Sequence, residues 1–101
     1  MNYQRIILAG NVTDSAEQRT SKKRGVTYTV FDLAVNDVSD KATFFPVVVF
    51  GDSAEAVAKY VTKGQLVLVE GRIEVNEKKR FNIVADNVRF GPGPAKVDPS
   101  E

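Results

Sequence analysis

Phe44-Phe45-Pro46-Val47-Val48-Val49-Phe50-Gly51 is the stretch on which the reading of this chain turns. Its density of valine and phenylalanine suits a β-strand, and side chains along a strand alternate between its two faces. One face therefore carries Phe44, Val48 and Phe50, and the other carries Phe45, Val47 and Val49. The second set is a natural core face. The first sets two flat rings roughly 20 Å apart by strand rise. Buried packing competes with surface display as the reading of those two rings.

Working outward, Tyr3–Val12 reads as a first strand with a bend or bulge at Gly10-Asn11. Thr13–Gly25 is polar, with a turn at Ser21-Lys22-Lys23-Arg24-Gly25. Val26–Val35, rich in β-branched and aromatic residues, is a second strand, and Thr43–Phe50 a third after the polar Asn36–Ala42. A helix of about three turns then follows Gly51. Asp52 or Ser53 can cap it, Asp52 and Glu55 have capping-box spacing, and Lys63-Gly64 supplies its end. Ala54, Val57, Ala58 and Val61 share its apolar face, and Tyr60 reads as core or as a contact to the sheet.

Leu66–Val75 and Arg80–Phe90 form a closing hairpin around the turn Asn76–Lys79. The predicted order is three strands, a helix and two strands. That is the layout of the all-β OB-fold, a five-stranded barrel with one short helix between strands three and four. Closure removes exposed sheet edges, which favours the barrel over an open α+β sheet. Residues 1–90 are predicted as one domain and 91–101, opening with Gly91-Pro92-Gly93-Pro94, as a flexible tail.

Composition narrows the chemistry. The 101 residues carry a net charge of only +1, so any electrostatic signal lies in where charges sit. Cysteine and histidine are absent, which removes disulfides, zinc sites of the usual ligand types, thiol chemistry and histidine acid–base catalysis. Asp32, Glu70, Glu74 and Asp86 fall on predicted strands, but no pair has the spacing of a metal or general acid–base site. No catalytic residue and no cofactor is expected. The apolar run in Met1–Ala9 is too short for a signal-peptide core or a membrane helix, so a soluble, cytoplasmic protein is expected.

Positive charge clusters at Arg19, Lys22, Lys23 and Arg24 between the first two strands, and at Lys78, Lys79 and Arg80 on the last hairpin. Arg5 and Arg72 lie on strands. In an OB-fold those two loops flank the face built largely by strands two and three, where oligomers bind. Rings on a sheet beside basic loops suit unpaired bases, because every base offers a π-face. Each feature also has an ordinary reading: a charged hairpin tip is commonly a solvated turn, and Tyr28, Phe31 and Phe81 fit core or interface packing. The conjunction carries the argument, since rings and both basic loops fall on one side of one fold.

Six segments resemble the bacterial single-stranded-DNA-binding protein family. They are Arg5–Val12, Phe31–Asn36, Phe44–Gly51, Ala54–Gly64, Val69–Ile73 and Val84–Phe90. The resemblance places Phe44 and Phe50 at base-stacking positions and Arg5 and Arg72 on or near the DNA path. It implies nonenzymatic binding of single-stranded DNA with little sequence preference, in replication, recombination or repair. It also implies a nucleoid-associated homo-oligomer, commonly a tetramer, whose first strands pair across subunits. Ile6 and Leu8 are the apolar residues that such pairing is expected to cover.

The chain departs from the family pattern at several places. Pro46 stands where a basic residue is usual, tryptophan is absent, the last hairpin is short, and Ala95–Glu101 lacks the acidic, Pro-Phe-tipped ending. Recruitment of replication or repair enzymes through such a tip is therefore not implied. The rival readings are an OB-fold protein-interaction module of the primosome accessory type, which would not bind oligo-dT, and a small enzyme, which would turn nucleic acid over.

Overall fold

In the computed structural model, residues 3–14, 16–21, 25–75 and 77–91 are described. Their order is β1 (Ile6–Val12), β2 (Glu17–Ser21), β3 (Val26–Asn36), β4 (Ala42–Phe50), α1 (Asp52–Tyr60), β5 (Leu66–Val75) and β6 (Phe81–Phe90). Pairings β1–β5, β5–β6, β6–β4, β4–β3 and β3–β1 close a five-stranded barrel around the helix-capped core. All are antiparallel except β4–β6. The expected barrel is thus present, with the helix between its third and fourth strands.

Closure depends on β1 changing partner along its length. Ile6 to Asn11 pair with β5, while Asn11 and Val12 also face Ala34 and Leu33 of β3. Gly10 marks the change: a Cβ there would lie 2.3 Å from the Ala34 carbonyl oxygen, so only glycine lets the strands meet. Gly71 makes a second close approach, beside the register shift between Glu70 and Gly71, with its missing Cβ 2.0 Å from the Val84 carbonyl oxygen.

Inside, Val12, Phe31, Leu33, Val47, Val49, Val67, Val69 and Ile83 form the buried cluster, and Ala54, Val57 and Val61 close it from the helix side. Burying each such side chain is worth about 1.5–3 kcal/mol, so this alternating set supplies the main drive to fold. Thr29 is a fully buried polar residue, and its hydroxyl donates to the Ala54 carbonyl, tying β3 to α1.

Several expectations are corrected. Segment 13–25 is not wholly loop, because Glu17–Ser21 pairs with Val26–Val30 as an added edge strand. Its side chains are mostly exposed, so backbone pairing rather than an apolar face holds it. The first strand begins at Ile6, not Tyr3, although the Gln4 side-chain amide donates to and accepts from the Ile73 backbone one step beyond it. Neither Asp52 nor Ser53 caps α1: Gly51 occupies the N-cap at φ 77° and no side chain caps it, while Asp52 and Glu55 lie in the first turn, where carboxylates complement the helix dipole.

The helix also ends early, at Tyr60. Val61 is already extended, and Gly64 takes φ 86° in the following turn instead of ending the helix. Tyr60 is 57% exposed rather than core, with Lys59 Nζ 5.4 Å from its ring centroid. Ile6 and Leu8 pack against the core, and Ile7 is the exposed large apolar residue of β1, so the apolar surface on that strand is the opposite of the expected one. Residues 92–101, nearly all of the predicted tail, lie outside the described residues.

Candidate nucleic-acid interface

The parity of β4 is as the sequence predicts. Phe44 and Phe50 point outward at 59% and 40% exposure, while Val47 and Val49 are buried and Phe45 is half-buried. The residues facing Phe44, Pro46, Val48 and Phe50 across the sheet are Ala34, Asp32, Val30 and Tyr28 of β3. These form a two-strand outer face with a ring at each end. Tyr28, read from the sequence as core or interface, belongs to this face: it is half-buried, with its ring centroid 5.7 Å from that of Phe50. The signal available for it was strand parity, since buried Thr29, Phe31 and Leu33 fix the inward set of β3.

From this face the surface continues over β6 and β5. Val48 and Phe50 border a shallow pocket with Glu74, Asn82 and Val84, and Arg72 faces Val84 across the β5–β6 pair. Arg72 donates to Asp86 at 3.2 Å and to Glu74 at 3.1 Å. Arg5, further round the barrel, donates to Glu70, and that hydrogen bond holds its guanidinium even more firmly protonated than usual. Arg89 Nε stands 3.9 Å from the same carboxylate. Arg5 and Asp86 line one common pocket, so the two arginines flank a continuous polar strip. Both are exposed and both are paired with carboxylates, so a phosphate reaching them would exchange one anion for another.

The hairpin between β5 and β6 stands beyond the barrel. Ile73 and Val75, on the inward parity of β5, are exposed because the strand outruns the core there. Lys78, Lys79 and Arg80 are exposed at its tip, with Lys79 at φ 61° in the turn. Below the tip the Phe81 ring packs edge-on to Phe45, centroids 6.4 Å apart, which fastens the hairpin base at the Phe44 end of β4. At the other side, Arg19 on β2 is held by Glu17 at 2.6 Å. Lys22, Lys23 and Arg24 lie outside the described residues.

The structure thus brings Phe44, Phe50 and the Lys78–Arg80 tip to one region, sets Arg72 beside it and places Arg5 furthest away. A barrel closed on itself, with exposed rings on its outer β3–β4 face and basic residues around them, defines an oligomer-binding OB-fold protein. The model of the single-strand binding protein family matches residues 3–90. The single-stranded DNA-binding protein of Clostridium tetani is 35% identical, over 85% of this chain and 68% of its own length. That of Thermotoga maritima is 36% identical, over 87% and 73% respectively. Among solved structures, a deletion mutant of the single-stranded DNA binding protein from Thermus aquaticus superposes with a TM-score of 0.77 at 26% identity. That match takes in 98% of this chain but only 45% of the Thermus aquaticus chain. The chain belongs to the single-strand binding protein family.

Proposed function

We propose that this protein binds and protects single-stranded DNA, with little sequence preference and without catalysis, in replication, recombination or repair. The observation that carries the reading is the pair of exposed rings, Phe44 and Phe50, on the open β3–β4 face of a barrel whose inner positions are already filled. A base laid on either ring gains about 1–3 kcal/mol whatever its identity, and duplex DNA hides the faces that would do so. Lys78, Lys79 and Arg80 supply phosphate contacts at one end of the face, and Lys22, Lys23 and Arg24 are proposed to do so at the other. Arg72 and Arg5 extend the track by exchanging their carboxylate partners for phosphates.

The protein is proposed to act as a nucleoid-associated homo-oligomer, a tetramer by family analogy, so that one strand can pass over several such faces. The test is a salt titration of binding to oligo-dT, with duplex DNA as control. Tight, salt-sensitive binding to the single strand alone is expected. Absence of binding would favour a protein-interaction module, and turnover of the strand would reopen catalysis.

A further inference from the structure

The ring-bearing face also carries a carboxylate that the stacking mechanism leaves without a task. Asp32 is exposed on β3, in register with Pro46, two positions along β4 from Phe44 and four from Phe50. Its side chain makes no hydrogen bond or ion pair with any described residue. Pro46 opposite it has no N–H, and Val30 and Val48 beside it have no polar side-chain atom. The carboxylate lines a groove of about 380 Å³ whose border includes Asp14 and Glu17. The cation of that groove, Arg19, is already bound by Glu17. A carboxylate on the strand face between the two rings repels phosphate, so a strand stacked on Phe44 and Phe50 turns base edges toward Asp32 and its backbone away.

An ionised carboxylate only accepts hydrogen bonds. Cytosine, adenine and guanine present an exocyclic amino donor on an edge, whereas thymine and uracil have a carbonyl oxygen where cytosine has its amino group, and their N3–H donor lies between two carbonyl oxygens that repel a carboxylate approaching it. The geometry points to Asp32 as a base-reading residue that favours amino-bearing bases, and cytosine among the pyrimidines. This inference rests on the single-strand reading above and adds a modest preference to it. Stacking remains tolerant of every base, and the carboxylate tilts the choice.

Oligo-dC and oligo-dU of equal length test the contact, because their bases differ only at C4, amino or carbonyl, and at the neighbouring N3, acceptor or N–H donor. Fluorescence anisotropy gives Kd for both with the parent, Asp32→Asn and Asp32→Thr, each first shown to melt as the parent does. The asparagine can donate to the uracil carbonyl, and the threonine removes the fixed negative charge. The preference for oligo-dC over oligo-dU is expected to fall about fivefold in either variant, the lower end of what one base-edge contact provides. A gain in affinity that is equal for both oligonucleotides would show a long-range charge effect only and would overturn base reading. If the parent binds both strands and the ratio stays fixed in both variants, Asp32 reads nothing while the single-strand function stands. If the parent binds neither, that function itself fails, and the base-reading role with it.

Discussion

Tyr28 and Phe50 face one another across β3 and β4 with ring centroids 5.7 Å apart and planes tilted by 41°. Tyr28 therefore limits the rotamers of Phe50 and presents one face of its ring to the surface. A ring already fixed loses less side-chain entropy when a base settles on it. An aromatic pair of this kind contributes about 0.5–1.5 kcal/mol beyond its buried area. Tyr28→Ala is expected to weaken binding of oligo-dT, and the loss should be non-additive with that of Phe50→Ala in a double-mutant cycle. Additive losses would mean that the two rings act as separate platforms.

Phe44 and Phe45 are neighbours in sequence with opposite tasks. Phe44→Ala removes an exposed ring and should lower affinity by about 1–3 kcal/mol with little change in thermal stability. Phe45→Ala removes a half-buried ring that packs on the core and on Phe81. Its cost should appear as stability, below the roughly 3–5 kcal/mol typical of a fully buried phenylalanine. Melting curves beside binding isotherms for both variants decide the matter. If the melt falls for Phe44→Ala while its binding is unchanged, the facing of β4 is inverted.

The division between Phe44 and Phe45 was legible because a half-buried strand must alternate, and Val47 and Val49 leave one choice of inner face. The barrel followed from the order of elements. What stayed hidden has a physical reason in each case. Glu17–Ser21 is an edge strand held by backbone pairing with β3, so its polar side chains carry no strand pattern. Ile6, Ile7 and Leu8 are all apolar, and only the pairing of β1 with β5 tells which of them faces out. The pairing of Arg5 with Glu70 joins residues 65 positions apart, so the sequence suggested bare cations where the fold makes ion pairs. Tyr60 is large and partly apolar and reads from the sequence as core or as a contact to the sheet, but it stands at the margin of the stripe that Ala54 and Val57 bury and is exposed.

The proposed assembly can be tested at β1. Among the described residues, one edge of this strand pairs with β5 along Ile6–Asn11, and the other meets β3 only at Asn11 and Val12. Ile6 to Gly10 thus present an unpaired edge, with Ile7 58% exposed beside it. Such an edge invites pairing with a second copy, and the first strand of that copy is the complementary surface. Sedimentation equilibrium at micromolar concentration is expected to give a multiple of the 11.1 kDa chain mass. Ile7→Lys should shift the distribution toward the monomer without unfolding it, since Glu70 lies directly opposite on β5. A clean 11.1 kDa species for the parent would refute assembly through β1.

Backbone tracking and base stacking can be separated by salt. Replacing Lys78, Lys79 and Arg80 by glutamine leaves Phe44 and Phe50 in place, and the Phe81–Phe45 contact should keep the hairpin base fastened. If the tip meets phosphates, binding there releases condensed counterions, and the log–log salt slope scales as about −0.7 per contacted phosphate on a single strand. Losing up to three contacts should flatten the slope by about 2 units per binding site. The loss of affinity should be greatest at low salt and of similar size on oligo-dT and mixed sequences, because phosphates carry no sequence information. Phe44→Ala should do the reverse, lowering affinity while leaving the slope nearly unchanged. A triple variant that keeps the parent's slope would show the tip to be a solvated turn, and phosphate tracking would then fall to Arg5, Arg72 and the segment before β3.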